Sequence, residues 1–252
     1  EFARPGPYNL SVAPVRAFSV DDSATTEIDD ALSVQGLGTG TVIFGVHIAA
    51  PALAIAPDSP IDKVARDRLS TVYMPGWKLT MLPDEVVQAY TLQEGRDCPA
   101  VSLYVTMDEA TLEVKSSETK LERVPIAANL RHDKLDAVVT EAALTGAAPA
   151  DFPFAAELSF GFRLARHLTA QREVVRGKPE NFNRPDYNFK LVDAAGQSPV
   201  EPPSGQETVL ISERRRGAPL DTIVAEAMIL ANNTWGGWPT EQGGPGTNRN
   251  PA

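Results

Sequence analysis

The stretch of sequence that decides the fold is ALSVQGLGTGTVIFGVHIA, residues 31–49. Two runs rich in apolar and β-branched residues, 31–37 and 41–49, lie on either side of the Gly-Thr-Gly at residues 38–40. Glycines between two such runs are typical of a β-hairpin, because glycine adopts the positive φ angles that tight turns require. The sequence therefore predicts a pair of antiparallel strands here, as part of a sheet.

Several acidic side chains lie directly before this hairpin, in DDSATTEIDD, which we call the acidic turn (residues 21–30). They are Asp21, Asp22, Glu27, Asp29 and Asp30. Carboxylates this close repel one another, and a bound divalent cation removes the repulsion. Such oxygen ligands suit Mg²⁺, whereas the glycine and glutamate of an EF-hand calcium loop are absent. Two alternatives remain open: a magnesium site, and a solvated acidic turn that binds nothing.

The composition is that of an ordinary globular protein. Of the 252 residues, 42% are hydrophobic and 22% charged, and no apolar stretch approaches the roughly 18 residues of a membrane-spanning helix. The single cysteine, Cys98, excludes an internal disulfide and a cysteine-based zinc site, and it favours a reducing, cytoplasmic setting. The net charge of −10 argues against a nucleic-acid partner. A cation held by the acidic turn would neutralise part of that charge.

Turn and cap signals predict further elements around the first hairpin. Ser59 is a suitable N-cap for a helix that begins at Pro60, because Asp62 follows three residues after the cap. A second hairpin is predicted over residues 100–114, and a strongly periodic helix follows Pro219.

The remaining segments carry weaker patterns. We predict irregular structure over 72–83, helices over 122–145 and 154–176, and a loop over 195–208. A Pro-rich entry arm, residues 1–14, and a tail rich in Gly, Pro and Asn, residues 236–252, are expected to lie outside the folded domain.

Several blocks of the chain, in order and at family-like spacing, resemble the RNB catalytic domain of the ribonuclease II and ribonuclease R family. They are SVDDSATTEIDDALSV, FGVHIA, SPIDKVARDRLSTVYMPG, MLP, CPAVSLYVTMD, NRPDY and ERRRGAPLDTIVAEAMILAN. The resemblance covers roughly residues 15–235 and implies an α+β fold, a mixed β-sheet with surrounding helices, in an incomplete, truncated RNB-like catalytic domain. It also implies hydrolysis of single-stranded RNA from the 3′ end, releasing nucleoside 5′-monophosphates.

The resemblance assigns roles within the acidic turn. The family's acidic positions fall on Asp21, Glu27, Asp29 and Asp30, with Glu27 standing where many members carry Asp. Asp21, Glu27 and Asp30 are the implied ligands of Mg²⁺, with Mn²⁺ as an alternative ion. Asp29 is the implied contact to the terminal ribose hydroxyls, which distinguish RNA from DNA.

The resemblance also implies an RNA-binding set. Its members are Tyr73, Phe182, Arg184, Arg214, Arg215 and Glu226. The two aromatic rings would stack on bases, the arginines would contact phosphates, and Glu226 would contact ribose. Each has a plainer alternative, because single aromatic residues usually belong to the core and charge runs usually face solvent. Outside this set, His47 is predicted to be a hydrogen-bonded structural residue and Cys98 a small core residue.

This chain departs from the family pattern in three places. Ala50 and Ala225 stand where members carry acids, and the family's later arginine-bearing segment has no counterpart in residues 1–252. Because such an arginine stabilises charge on the phosphate, weak or absent activity is expected for this chain alone. Three hypotheses follow: a magnesium-dependent 3′→5′ exoribonuclease, a non-catalytic RNA-binding or regulatory protein of the same fold, and a small-molecule phosphodiesterase. No stable protein partner is indicated.

Overall fold

The predicted hairpin forms the centre of a closed sheet. In the computed structural model, which describes residues 9–23, 25–179, 186–197, 203–214 and 217–241, strands β2 (Asp30–Gln35) and β3 (Thr41–Ala49) pair antiparallel. The turn glycines Gly36, Gly38 and Gly40 all have positive φ angles near 80°, a conformation that costs glycine little because it has no Cβ. The hairpin prediction is confirmed.

Three further strands complete a barrel around this hairpin. Strands β1 (Ala17–Asp21), β6 (Asp97–Asp108) and β7 (Val114–Arg131) extend the sheet in the order β1-β2-β3-β6-β7. The barrel closes because β7 also pairs with β1, in parallel, whereas all other neighbours are antiparallel. The predicted mixed sheet and the predicted second hairpin, β6 with β7, are therefore confirmed.

Strand β7 corrects one prediction. The segment 122–145 was predicted to be helical, but β7 continues to Arg131, and only the short helices α3 (His132–Leu135) and α4 (Glu141–Leu144) follow. Burial along this part of β7 alternates with a period of two: Glu122, Val124 and Ile126 are buried, and their neighbours are more exposed. This alternation is the signature of a strand with one covered face.

The inside of the barrel contains a polar cluster around His47. His47 is fully buried, and its two ring nitrogens lie 2.9 Å from Ser33 Oγ and 2.8 Å from Ser102 Oγ. Gly45 leaves space for this arrangement, because a Cβ there would lie 2.3 Å from Ser33 Oγ. The predictions for His47 and for Cys98, which is also fully buried, are confirmed.

Two long helices cover the barrel core. Helices α5 (Ala155–Arg176) and α6 (Pro219–Glu241) pack against each other, with Gly161 of α5 close to Ile223 of α6. Both helices were predicted, but α6 extends beyond Gly236, where an unfolded tail was expected. The entry arm is also partly ordered: Ala13 N–H donates to Arg123 C=O at 2.8 Å, and the pairing continues the sheet.

A separate compact unit, which we call the hairpin unit, lies within Pro51–Tyr90 and Asn181–Arg216; the barrel unit contains the strands and helices described above. Its helices are α1 (Pro60–Arg68) and α2 (Asp84–Tyr90), and its strands are β4 (Val72–Met74), β5 (Trp77–Leu79), β8 (Asp186–Val192) and β9 (Thr208–Arg214).

Local signals explain most of the hairpin unit. Ser59 Oγ accepts the N–H of Asp62 at 3.2 Å, as the predicted N-cap of α1 requires. The segment 72–83 was predicted to be irregular, but β4 and β5 form a short hairpin whose turn contains Gly76 at φ +70°. The predicted loop at 195–208 agrees with the described residues between β8 and β9.

In the ranges that the structure describes, no helix combines the length and the apolar character needed to cross a bilayer.

Candidate active site at the acidic turn

The barrel brings two of the predicted acidic residues to the same end of the sheet. Asp21 is the last residue of β1, and Asp30 is the first residue of β2. Because these strands are antiparallel, with Phe18 opposite Leu32, the end of one lies beside the start of the other. The acidic turn is thus a loop on a rigid scaffold, the usual place for residues that bind or react.

Burial and neighbouring negative charges perturb the pKa values of both carboxyl groups. The pKa of Asp30 is raised to about 6, first by burial and then by the negative charges of Asp21 and Asp29. Burial also raises the pKa of Asp21, while a hydrogen bond from Ser19 and the charge of Arg131 act in the opposite direction. Perturbed carboxyl groups of this kind are a feature of functional sites.

One buried oxygen of Asp21 is a candidate ligand atom. Asp21 Oδ2 is buried and has no hydrogen-bond partner among the described residues. A buried acceptor without a partner costs free energy, and a cation bound there would remove that cost. The two carboxylates of Asp21 and Asp30 fit Mg²⁺, which proteins commonly bind through one or two carboxylates together with waters and substrate phosphates.

The predicted third metal ligand does not join this pair. Within the described ranges, no three His, Cys, Asp or Glu side chains are arranged so that they could hold an ion together. Glu27 is therefore not assembled with Asp21 and Asp30, and Asp29 is an exposed residue whose C=O accepts the N–H of Ala49 at 2.8 Å. Magnesium remains a hypothesis, supported by the two-carboxylate arrangement.

The end of strand β7 holds the first half of the acidic turn. Arg131 Nη1 donates to the C=O groups of Asp22, at 2.8 Å, and Thr25, at 3.4 Å. Asp133 accepts from Ser23 twice, from Oγ at 2.6 Å and from N–H at 3.1 Å. These contacts connect the turn to residues more than a hundred positions later in the chain, and nothing in the local sequence predicts them.

The second half of the turn is held from the other side. Thr91 Oγ1 accepts the N–H of Ile28 at 2.8 Å, and Leu92 N–H donates to Ile28 C=O at 2.9 Å. The Ile28 side chain is buried in a core cluster with Leu92 and Ala31. The buried side chain of Ile28 thus fixes the position of the turn one residue before Asp29.

A buried histidine lies next to these anchors. His132 has Nδ1 at 3.2 Å from Asp136 Oδ1 and Nε2 at 3.6 Å from Asp221 Oδ1, and its charge contributes to lowering the pKa of Asp21. Sequence reasoning missed His132 because the surrounding segment was predicted to be part of a helix. A signal that could have identified the segment is the alternation of apolar residues that precedes it.

Glu226 has a different environment from the one that the resemblance implied. Its side chain on α6 is 4% exposed and accepts hydrogen bonds from Arg172 and, at 2.9 Å, from Thr169, both on α5. Both carboxylate oxygens are used in this pairing of helices. The arrangement explains Glu226 as a structural residue and leaves it no oxygen dedicated to ribose.

The structure describes only some of the other residues that were predicted to bind RNA. Tyr73 lies on β4 in the hairpin unit and is 68% exposed, which excludes the half-buried core alternative. Phe182, Arg184 and Arg215 lie outside the described residues. Arg214 is the last residue of β9, and its side chain also lies outside the described part.

Comparison with known proteins gives a consistent result. The family model described as the RNB domain matches residues 12–250. Exoribonuclease 2 of Edwardsiella piscicida is 31% identical over 222 residues, which cover 85% of this chain and 31% of that protein.

Solved structures show the same fold at low identity. An active-site mutant of the Dss1 exoribonuclease from Candida glabrata superimposes with a TM-score of 0.76 at 19% identity, covering 97% of this chain and 33% of the other. Mycoplasma genitalium RNase R in complex with ribose methylated single-stranded RNA gives a TM-score of 0.71 at 18% identity, covering 95% and 34%. The chain therefore spans about a third of the length of these proteins.

Proposed function

Because this chain belongs to the RNB domain family, we propose that it carries the acidic centre of a ribonuclease that hydrolyses single-stranded RNA from its 3′ end. The observation that carries the proposal is the pair of partly buried carboxylates at the adjacent ends of β1 and β2. Asp21 Oδ2 of this pair has no hydrogen-bond partner among the described residues. The name of the E. piscicida relative, an exoribonuclease, supports the class of reaction.

Magnesium, or manganese in its place, is the proposed cofactor. Asp21 and Asp30 would hold the ion, while the remaining acidic residues would act on the substrate side. A bound Mg²⁺ polarises phosphate oxygens and lowers the pKa of an attacking water. The protein itself fixes the two carboxylates on strand ends and anchors the turn between them, so little reorganisation is needed when the ion and the RNA arrive.

RNA is the proposed substrate despite the net charge of −10. The solved RNase R complex contains single-stranded RNA, and Tyr73 of this chain exposes an aromatic ring that a base could cover. Stacking contributes about 1–3 kcal/mol per base and does not depend on base identity. Lys78 lies directly opposite Tyr73 in the β4–β5 pair and adds a basic residue to this hairpin.

The first experiment measures release of mononucleotides from a single-stranded RNA that carries radiolabelled phosphates along its whole length. We expect slow hydrolysis, because the arginine-bearing segment of the family has no counterpart in residues 1–252. The hydrolysis should need Mg²⁺ or Mn²⁺ and stop with EDTA. Asp30→Asn should lower the rate of hydrolysis at least about 100-fold, because it removes one of the two carboxylates proposed to hold the ion. Asp151→Asn, a change of an exposed acidic residue outside the turn, is the matched control and should retain wild-type activity.

Other outcomes select other functions. Binding of the RNA without cleavage, in the presence of either metal, would favour a non-catalytic RNA-binding protein. Cleavage of a small phosphodiester with no effect on RNA would favour a small-molecule phosphodiesterase. Equal hydrolysis by wild type and Asp30→Asn would remove Asp30 from the active site.

A further inference from the structure

Strands β1 and β7 place four polar residues on one face of the barrel. The strands are parallel, with Ser19 opposite Asn129 and Asp21 opposite Arg131. Residues two apart on a strand project to the same face. The side chains of Ser19 and Asp21 therefore share a face on β1, and those of Asn129 and Arg131 lie beside them on β7.

Asn129 is held by hydrogen bonds on every side. Its Nδ2 donates to Ser19 Oγ at 3.0 Å and to Leu92 C=O at 2.9 Å, and its Oδ1 accepts the N–H of Glu94 at 2.8 Å. Its own N–H donates to Glu94 Oε2 at 3.0 Å. The side-chain amide therefore has one fixed orientation, with a donor directed at Ser19.

Ser19 is the residue through which Asn129 can act on Asp21. Ser19 is 1% exposed, so its hydroxyl has no access to bulk water. Since Oγ already accepts from Asn129, the hydroxyl hydrogen is available to donate, and Asp21 lies two residues further along the same face of β1. Asp21 Oδ2 has no partner among the described residues, so a bond from Ser19 to this carboxylate would fall on the other oxygen.

Arg131 completes the set from the side of the acidic turn. Its guanidinium donates to the C=O groups of Asp22 and Thr25, and its positive charge lies near Asp21. The backbone that leaves Asp21 is thereby held in one path. The position of Asp21 is thereby constrained through the chain that follows it.

We propose that Ser19, Asn129 and Arg131 are positioning residues that orient Asp21 so that Oδ2 faces the divalent cation of the active site. The inference rests on the proposed function, because it takes Asp21 to be a metal ligand. Partners that orient a metal ligand through hydrogen bonds typically change metal affinity by about 10–100-fold when removed.

The test compares Mn²⁺ binding to the full chain by calorimetry and by electron paramagnetic resonance. Ser19→Ala removes the hydroxyl and should raise the Kd for Mn²⁺ about 10-fold. Ser19→Thr keeps a hydroxyl and should restore affinity to near the wild-type value. Ser33→Ala is the matched control, because Ser33 is an equally buried serine whose hydroxyl contacts His47 and no acidic residue.

A second pair of variants tests the same inference if Ser19→Ala does not fold. If thermal unfolding shows that Ser19→Ala is not folded, Arg131→Gln tests the same set from the turn and should also weaken Mn²⁺ binding about 10-fold. Arg123→Gln is its control, since Arg123 is an exposed residue of the same strand. Both controls should keep the wild-type Kd.

The outcomes separate this inference from the proposed function. An unchanged Kd in Ser19→Ala, with wild type binding Mn²⁺, overturns the inference and leaves the ribonuclease proposal standing. Weaker binding in Ser19→Ala but not in Ser33→Ala supports the inference, even if no RNA is hydrolysed, in which case only the ribonuclease proposal fails. Absence of Mn²⁺ binding in wild type overturns both.

Discussion

Buried polar side chains in this barrel are of two kinds, those whose hydrogen bonds are satisfied and those in the acidic turn whose hydrogen bonds are not. His47 has partners for both ring nitrogens, so it stabilises the interior. Asp21, in contrast, has one buried oxygen without a partner in the described part of the chain, and burial of Asp30 raises the pKa of that residue to about 6. Unsatisfied and perturbed groups reduce stability, and proteins retain them where function requires them.

His47 should make the protein sensitive to acid. Burial lowers the pKa of His47 to about 3, below the value of about 6.5 for an exposed histidine. Between these values the unfolded chain binds a proton that the folded chain does not, so stability falls as pH falls from about 6.5 to about 3. His47→Gln should be about 1–3 kcal/mol less stable at neutral pH because it disturbs buried hydrogen bonds.

The feature that identifies the effect of His47→Gln is the slope of the free energy of unfolding against pH. Its stability should change less with pH below about 6.5 than that of wild type, by up to about 1.4 kcal/mol per pH unit. Urea unfolding at several pH values measures both slopes. His167→Gln, a change of a less buried histidine on α5, is the control and should keep the wild-type slope. Equal slopes in His47→Gln and wild type would contradict the buried neutral histidine.

At the scale of elements, contacts between two elements hold the acidic turn and the buried charges in place. The acidic turn is held by the end of β7 on one side and by Thr91 and Leu92 on the other. Helices α5 and α6 are joined by the pair of partly buried Arg172 and buried Glu226. Removing one member of such a pair leaves the other without its charged partner, which reduces stability.

Glu226→Gln should therefore act on stability and not on the choice between RNA and DNA. We expect a loss of about 2–4 kcal/mol, because Arg172 loses its charged partner. Urea unfolding gives the stability, and competition between matched RNA and DNA oligonucleotides gives the selectivity. Glu113→Gln, a change of an exposed acidic residue, should alter neither. Full stability with lost RNA selectivity in Glu226→Gln would restore the ribose contact implied by the family resemblance.

At the scale of the whole molecule, the proposed chemistry and the proposed RNA stacking belong to different compact units. The acidic turn is part of the barrel unit, whereas Tyr73 is part of the hairpin unit. Loss of the ion site should therefore leave Tyr73 and its surroundings unchanged. This separation permits cleavage and binding to be measured with independent variants.

Mg²⁺ should stabilise the whole chain through the barrel unit. A ligand that binds only the folded state at about ten times its Kd contributes about 1.4 kcal/mol, which corresponds to a rise in Tm of about 3–5 °C for a chain of this size. Asp30→Asn should lose most of this shift, whereas Tyr73→Ala should retain it. Differential scanning calorimetry with Mg²⁺ or EDTA measures the effect, and an equal shift in Asp30→Asn would exclude Asp30 as a ligand.

Local chemistry in the sequence was sufficient for the hairpin at residues 31–49, the cap at Ser59, the long helices and the acidic turn itself. Each depends on residues close together in the chain: turn glycines, a capping hydroxyl, or apolar residues at helical spacing. The same chemistry failed for β7, because a strand that closes a barrel is stabilised by partners far away in sequence.

Only the tertiary structure decided what surrounds Asp21. Ser19 and Asn129 are 110 residues apart, and they meet because β1 and β7 pair in parallel. Such pairing has no local pattern, since hydrogen bonds between distant strands depend on closure of the whole sheet. The sequence by itself therefore determined that carboxylates are concentrated in one turn. The folded barrel decided which of them are buried, which are anchored and which oxygen has no partner among the described residues.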